Sequence, residues 1–164
     1  LAGDSAGANL ASAVSHATRG QFRIAGQVLI YGAFGGNVDR GSYLTHAHAP
    51  MLTRDDIVYY MDIRFDNSAP DADPTAAPLQ DTDFTDLPPS VLISAECDPL
   101  SDDSRDYAER IESAGGQALW INEAGLVHGY LRGRKTVRRA RESFARIVKA
   151  IDGFGRALPF PPSL

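Results

Sequence analysis

Cysteine is almost absent from this sequence: Cys97 is the single cysteine among 164 residues. One cysteine cannot form an internal disulfide, and it cannot build a metal site from several thiolates. The composition therefore excludes a small secreted domain stapled by disulfides. It favours a reducing compartment, and we expect the protein to work in the cytoplasm.

Long apolar runs and an excess of positive charge are missing as well. No uninterrupted apolar stretch approaches the roughly 18 residues that a membrane-spanning helix needs. Acidic residues outnumber basic residues by 21 to 16, which gives a net charge of −5. This balance offers no general attraction to phosphate backbones or anionic membranes. We therefore expect neither a membrane span nor a nucleic-acid partner.

What the sequence does contain is an alternation of short apolar runs with longer helical patterns, which is typical of an α/β protein with a parallel sheet. The apolar runs predict three buried strands, at 26–31, 90–95 and 118–122. The helical patterns cover about 6–18, 53–65, 102–113 and 134–151.

Local signals place two of the helix starts and the face of the last helix. Thr53 is a plausible N-cap for the second helix, and Asp102 is expected to cap the third helix. The apolar residues of the last helix recur at helical spacing, which predicts one face docked on the sheet. These residues are Val137, Ala140, Phe144, Ile147, Val148 and Ile151.

The stretch from about 33 to 89 breaks the alternation of strands and helices. It carries six of the ten prolines and is too long for a simple connection between neighbouring strands. Loops of this length inside a domain are usually lids or inserted segments. We expect a cap-like insertion that contains the 53–65 helix and rejoins the sheet near residue 90.

The first chemical motif lies at 3–7, where Gly-Asp-Ser-Ala-Gly matches G-x-S-x-G. This pattern marks a sharp strand-to-helix turn that holds a serine exposed above a parallel sheet. Both glycines are expected to be required, because the turn leaves little space for Cβ atoms. As a bare pattern it is weak, because a helix start capped by Ser5 gives the same residues.

Two downstream residues favour Ser5 as a nucleophile. Asp98 lies just beyond the 90–95 strand, and His128 lies beyond the 118–122 strand. The carboxyl ends of parallel strands share one edge of a sheet, so both side chains should approach Ser5 there. The chain order serine, acid, histidine is the order of α/β-hydrolases.

Other residues near these positions have competing interpretations. Glu96 is one position off the expected loop, and Asp102 fits a helix cap better than a catalytic acid. His46 and His48 form an H-x-H pair near Asp39, which suggests zinc only if further ligands exist. The sequence offers no such ligands, so we expect no metal and no cofactor.

The motifs together resemble the C-terminal half of a bacterial esterase of the hormone-sensitive lipase family, within the α/β-hydrolase fold. GDSAGANLA resembles the nucleophile elbow of that family, SVLISAECDPL its acid segment and GLVHGY its histidine loop. The resemblance extends from Leu1 to about Ile151. It implies that residues 1–164 form the C-terminal part of a single catalytic domain, with a partial sheet from the end of strand 5 to strand 8.

The resemblance also implies roles for individual residues. Ser5 would be the nucleophile, His128 the base and Asp98 the acid that orients it. The backbone N–H of Ala6, just after the nucleophile, would donate to the oxyanion. The family's further oxyanion loop, of HGGG type, lies upstream of the elbow, so we expect a separate chain or a precursor to supply the N-terminal half.

The implied reaction is hydrolysis of small esters with short acyl chains. Met51, Leu52 and Leu126 are candidate apolar residues for the substrate pocket. A thioesterase or peptidase that uses the same three residues remains open. So does a non-catalytic ligand receptor, because the plant gibberellin receptors resemble this family but lack the catalytic histidine. The presence of His128 argues against the receptor.

Overall fold

A sheet of four parallel strands forms the centre of the computed structural model, which describes residues 1–65, 73–162 and 164. The strands lie side by side in chain order: β1 (Ala2–Asp4), β2 (Gln27–Ile30), β3 (Ser90–Cys97) and β4 (Ala118–Val127). All three neighbouring pairs are parallel. The prediction of a partial parallel α/β sheet is confirmed.

In the described part of the chain, five α-helices connect the strands or follow them. They are α1 (Ala6–Ala17), α2 (Ser42–Thr45), α3 (Arg54–Phe65), α4 (Ser101–Ser113) and α5 (Arg138–Gly155). Short 3-10 helices occur at Pro78–Gln80 and Tyr130–Gly133. Within the described ranges, no helix combines the length and the apolar character needed to cross a bilayer.

The two faces of the sheet are covered by different helices. Successive side chains of β2 point to opposite faces, so they belong to different apolar clusters. Leu29 packs in one cluster with residues of α1 and α4, such as Ala8 and Tyr107. Val28 and Ile30 pack in a second cluster with α5. Both faces are therefore buried, as is usual for parallel sheets.

The strand β4 is longer than its sequence predicts, because it continues past Asn122 to Val127. A bulge lies in this extension: Ala95 pairs with Glu123, but Cys97 pairs with Val127. Gly125 takes φ +67° there, and its N–H donates to Glu96 Oε2 at 2.7 Å. Glycine and charged residues are typical of a loop, which is why the sequence pattern hides the strand.

The last helix differs from its prediction in both its start and its face. It begins at Arg138 rather than 134, because Tyr130–Gly133 forms a 3-10 helix first. Small residues bring it close to the sheet: its buried positions are Ala140, Ser143, Ile147, Ala150 and Gly153. Four of the six residues assigned to its docked face are exposed, namely Val137, Phe144, Val148 and Ile151.

Of the two predicted helix caps, one is confirmed and one is wrong. Thr53 Oγ1 accepts the N–H of Asp56, and the Asp56 carboxylate accepts the N–H of Thr53 at 2.9 Å. This reciprocal pair is a capping box. Asp102 is inside α4, and its carboxylate accepts the N–H of Ser42 at 2.9 Å. The Asp102 side chain therefore makes a tertiary contact instead of capping the helix.

The segment 33–89 holds α2, α3 and a 3-10 helix before the chain re-enters the sheet at Ser90, and its residues 66–72 lie outside the described ranges. A third apolar cluster joins α2 and α3 to the start of α4. Its buried members are Tyr43, Leu52, Ile57 and Leu100.

A buried carboxyl group fastens the start of this segment to α4. One oxygen of Asp103 accepts the backbone N–H groups of Phe34 at 2.7 Å and Gly36 at 3.2 Å. Burial raises the pKa of Asp103 to about 6, and the two N–H bonds only partly oppose that shift. The loop after β2 is thus held by an acid whose ionisation costs stability.

We predict that the free energy of unfolding of Asp103→Asn increases relative to that of the wild type as the pH rises from about 4 to 7. In this window the unfolded wild type is ionised at this position, whereas the folded wild type keeps its proton up to about pH 6. The wild type therefore loses stability with rising pH, by up to about 3 kcal/mol, and the amide does not titrate.

Urea unfolding of both proteins at several pH values measures this difference. Asp55→Asn, at an exposed carboxyl on α3, is the matched control and should track the wild type closely. A stability difference for Asp103→Asn that stays constant from pH 4 to 7 would contradict the assignment.

Candidate active site

Ser5 lies in the turn between β1 and α1, in a backbone conformation that few residues adopt. Its φ is +53° and its ψ is −120°. Its N–H donates to the carbonyl of Ile30 on the neighbouring strand at 2.9 Å, and its own carbonyl accepts the N–H of Ala8 at 3.0 Å. The sheet and α1 together hold this strained turn, which aims the Ser5 hydroxyl out of the carboxyl edge of the sheet.

The two glycines of the motif are not equivalent, contrary to the expectation from the pattern. A Cβ atom on Gly3 would clash with the carbonyl group of Gly7. A Cβ atom on Gly7 would meet no other described atom within 4 Å. Among the described residues, the close approach of β1 and the first turn of α1 requires glycine at position 3 but not at position 7.

The structure brings Ser5, His128 and Asp98 into one hydrogen-bonded row. Ser5 Oγ lies 2.8 Å from His128 Nε2, and His128 Nδ1 lies 2.7 Å from Asp98 Oδ2. Ser5 and His128 are 123 positions apart in the chain. The parallel strands bring them together, because each residue of the row follows the carboxyl end of a different strand.

The surroundings of Asp98 fix the proton on the imidazole. Asp98 is fully buried, and its second oxygen accepts the N–H of Leu100 at 3.0 Å. A carboxylate facing Nδ1 requires a proton on that nitrogen, so the neutral ring presents Nε2 to Ser5 as an acceptor. His128 is itself 9% exposed, so little water competes for the row.

Ala6 is the first residue of α1, next to Ser5. The N–H groups at a helix start have no acceptor within the helix, and the helix dipole makes this end attractive to negative charge. The position can therefore donate a hydrogen bond to an oxyanion formed at Ser5.

Tyr31 and Asp4 belong to the same site but were not identified from the sequence. Tyr31 follows β2 with φ +37°, is 1% exposed, and donates from its hydroxyl to Asp4 Oδ2 at 3.0 Å. Its ring meets the His128 ring edge to face, with centroids 5.0 Å apart. The available signal was its place at the carboxyl end of a predicted strand, where Asp98 and His128 also lie.

Two cavities open from Ser5. One, of about 350 Å³, lies on the His128 side and includes Tyr31, Met51 and Arg132 in its wall. The other, of about 410 Å³, lies on the Ala6 side. Its lining is largely apolar and includes Ala6, Tyr43, Leu52, Ile57, Met61 and Leu100. Of the three predicted pocket residues, Met51 and Leu52 line these cavities, whereas Leu126 is buried in the core beside α5.

The competing residues of the sequence analysis lie in other contacts. Glu96 accepts the N–H of Gly125, and Asp102 accepts that of Ser42. Among the described residues, no group of three or more His, Cys, Asp or Glu side chains is arranged to hold a metal ion, and His46 and His48 form no such group. Cys97 is half-buried.

We predict that Gly3→Ala destabilises the protein whereas Gly7→Ala does not. Gly3→Ala forces the first turn of α1 away from β1, at a cost of about 1–3 kcal/mol or more. Gly7→Ala adds a methyl group to a helix with space around it, so its effect should be neutral or slightly favourable. Urea midpoints compare the two variants, and equal losses would contradict the packing that separates them.

Comparisons with known proteins agree with this geometry. Residues 1–132 match the model of a protein family that is described as having the α/β-hydrolase fold. The chain is 33% identical over 157 residues to carboxylesterase NlhH of Mycobacterium tuberculosis, an alignment that covers 92% of this chain and 49% of that protein. It is 26% identical over 155 residues to ethyl acetate hydrolase of Pseudomonas putida, covering 93% of this chain and 49% of that protein.

Solved structures give the same result. The crystal structure of DphMB1 superposes with a TM-score of 0.87 at 31% identity, and the match covers 93% of this chain and 52% of that one. The chain therefore spans about half the length of the proteins that it matches. Its sequence, its sheet and its strand-to-helix turn at Ser5 place the chain in the α/β-hydrolase family, in the branch that resembles hormone-sensitive lipase.

Proposed function

We propose that this chain carries the catalytic residues of a serine carboxylic-ester hydrolase that acts on short-chain acyl esters. The observation that supports the proposal most directly is the row from Ser5 Oγ through His128 to buried Asp98, with both bonds below 3 Å. The relatives named as carboxylesterase and ethyl acetate hydrolase support the same class of reaction.

The reaction proceeds by transfer of the acyl group to Ser5 and then to water. His128 Nε2 accepts the hydroxyl proton as Ser5 attacks the ester carbonyl, because a free alkoxide is not available near neutral pH. Asp98 holds the proton on Nδ1 and stabilises the imidazolium that forms. The imidazolium then gives its proton to the departing alcohol. In the second half of the reaction, water attacks the acyl-enzyme in the same way, with His128 again as the base, and Ser5 is released.

The direction of proton transfer indicates which part of the ester each cavity would bind. The leaving oxygen must lie beside His128 to receive its proton, so the alcohol part occupies the cavity lined by Tyr31 and Met51. The carbonyl oxygen points to the N–H of Ala6. The acyl chain then extends into the apolar cavity, where the polar Asn9 and Arg64 interrupt the apolar lining. A short chain fits there without burying hydrocarbon against a guanidinium group.

We also propose that the working protein contains a second half that packs against β1. Within the described residues, β1 pairs with β2 alone, so its other side forms an edge of the sheet. Exposed apolar side chains occur on the elements at this edge: Leu1 directly precedes β1, and Leu10 and Val14 lie on α1, which packs against β1. An unpaired edge with apolar flanks is suited to pairing with another strand.

The single cysteine supports a location in the cytoplasm.

We predict that Ser5→Ala and His128→Ala each reduce kcat in the complete gene product by several orders of magnitude. The double variant should lose little more, because the two side chains act in one proton transfer. Initial rates of ester hydrolysis measure these losses, and losses that multiply in the double variant would contradict a shared step.

The same rates on matched ester, thioester and amide substrates test the class of reaction, and the ester should react fastest. Ligand binding without turnover would favour the receptor.

We predict that residues 1–164 expressed alone associate and hydrolyse esters poorly. The exposed edge favours association, and the loss of one oxyanion donor typically costs about 10² to 10³ in turnover. Light scattering and ester hydrolysis, with and without the complementary half, measure both effects. The control mixes that half with the His128→Gln variant, which should stay inactive. A monodisperse and fully active segment would contradict the need for a second half.

A further inference from the structure

The proposed reaction gives Tyr31 and Asp4 no part in proton transfer, although both line the cavity beside His128. Tyr31 is among the largest fully buried side chains of the protein. Its backbone has a positive φ, which is unusual for a bulky aromatic residue, and its N–H is fixed to the carbonyl of Ile93 at 2.7 Å. Strain of this kind is concentrated at functional sites, where the surrounding structure maintains it.

The hydroxyl of Tyr31 connects this buried ring to the nucleophile turn. It donates to a carboxylate oxygen of Asp4, the last residue of β1 and the direct neighbour of Ser5. Burial, and then the negative charge of Asp4, raise the pKa of the Tyr31 hydroxyl well above its usual range. The hydroxyl therefore stays protonated and remains a donor at every working pH.

The Tyr31 ring is in contact with the ring of the base. The Tyr31 and His128 rings meet at 61° with centroids 5.0 Å apart, within the range that aromatic pairs prefer. Tyr130 packs on Tyr31 in the same way, with centroids 5.1 Å apart. Tyr31 is thus held by Tyr130, by its hydrogen bond to Asp4 and by the sheet, and its ring lies against the imidazole.

We propose that Tyr31 and Asp4 form a brace that positions His128 relative to Ser5. The Asp98 bond fixes one nitrogen of the imidazole but leaves the ring free to swing about that bond. The Tyr31 ring blocks this movement, and the Asp4 bond ties Tyr31 to the residue next to Ser5. The brace thereby couples the position of the base to that of the nucleophile. This inference rests on the proposed hydrolase function, and both residues are positioning residues that take no part in proton transfer.

Kinetics of the complete gene product test the brace. Tyr31→Phe keeps the ring and removes the hydroxyl, and Asp4→Ala removes its acceptor. Each should lower kcat about tenfold and leave KM within about twofold, because a small misplacement of a catalytic group costs rate rather than binding. The double variant should be no slower than the slower single variant. Asp4→Asn keeps an acceptor oxygen and should recover most of kcat.

A matched control separates positioning from stability. Tyr107→Phe removes a buried hydroxyl in the cluster formed by α1 and α4, where it lies 2.9 Å from His16 Nε2, and it should lower Tm with kcat close to the wild type. If Tyr31→Phe behaves in the same way, losing stability but not kcat, the brace is wrong. Losses that multiply in the Tyr31→Phe/Asp4→Ala double variant would also overturn it.

A spectroscopic measurement keeps the test independent of turnover. The Nδ1 proton of His128 can be followed by NMR in protein labelled at its histidines, and assigned by its absence in His128→Gln. Tyr31→Phe and Asp4→Ala should shift or broaden this signal, whereas Tyr107→Phe should not. An unchanged signal in both brace variants overturns the inference. A wild type without ester turnover, or turnover retained in Ser5→Ala, overturns the hydrolase proposal instead.

Discussion

The parallel register of the four strands determines where every polar group of the site lies. Because all the strands run in one direction, the residues that follow them reach the same edge of the sheet. Ser5 follows β1, Tyr31 follows β2, Asp98 follows β3 and His128 follows β4. Apolar packing on both faces holds this register, so the geometry of the site is a consequence of the core rather than of the loops alone.

That core also maintains two unfavourable features at the edge. Ser5 and Tyr31 both have positive φ, which costs on the order of 1–3 kcal/mol each for residues other than glycine. Asp98 is fully buried, and its charge is tolerated because His128 and the N–H of Leu100 bond to it. The backbone bonds of Ser5 and Tyr31 to Ile30 and Ile93 show how the sheet opposes the strain.

The parts of the site that the sequence predicts are those carried by local pattern and chain order. The Gly-x-Ser-x-Gly turn, the strands before Asp98 and the serine, acid, histidine order were sufficient to bring three residues together. Tyr31 could not be found in this way, because its role depends on a hydroxyl contact with Asp4 and a ring contact with His128. Both contacts join distant parts of the chain, and neither leaves a periodic signal.

The fold was predicted less well where tertiary contacts override local preference. The end of β4 contains Gly125, and its bulge is stabilised by Glu96 from the neighbouring strand. The last helix docks through Ala140, Ala150 and Gly153, because small residues let it approach the sheet closely. A pattern of large apolar residues therefore pointed to the wrong side of that helix, where most of these residues are exposed.

The acidic start of α4 shows the same competition and links the 33–89 segment to Asp98. Asp102 and Asp103 look like residues that complement a helix dipole, but their carboxylates accept N–H groups from that segment. The Ser42 hydroxyl completes the connection, donating to the carbonyl of Pro99 at 2.6 Å and accepting the N–H of Asp102 at 3.0 Å. Pro99 follows Asp98 directly, so the segment that lines the apolar cavity also holds the loop that orients His128. The walls of the apolar cavity and the position of Asp98 thus depend on the same few hydrogen bonds.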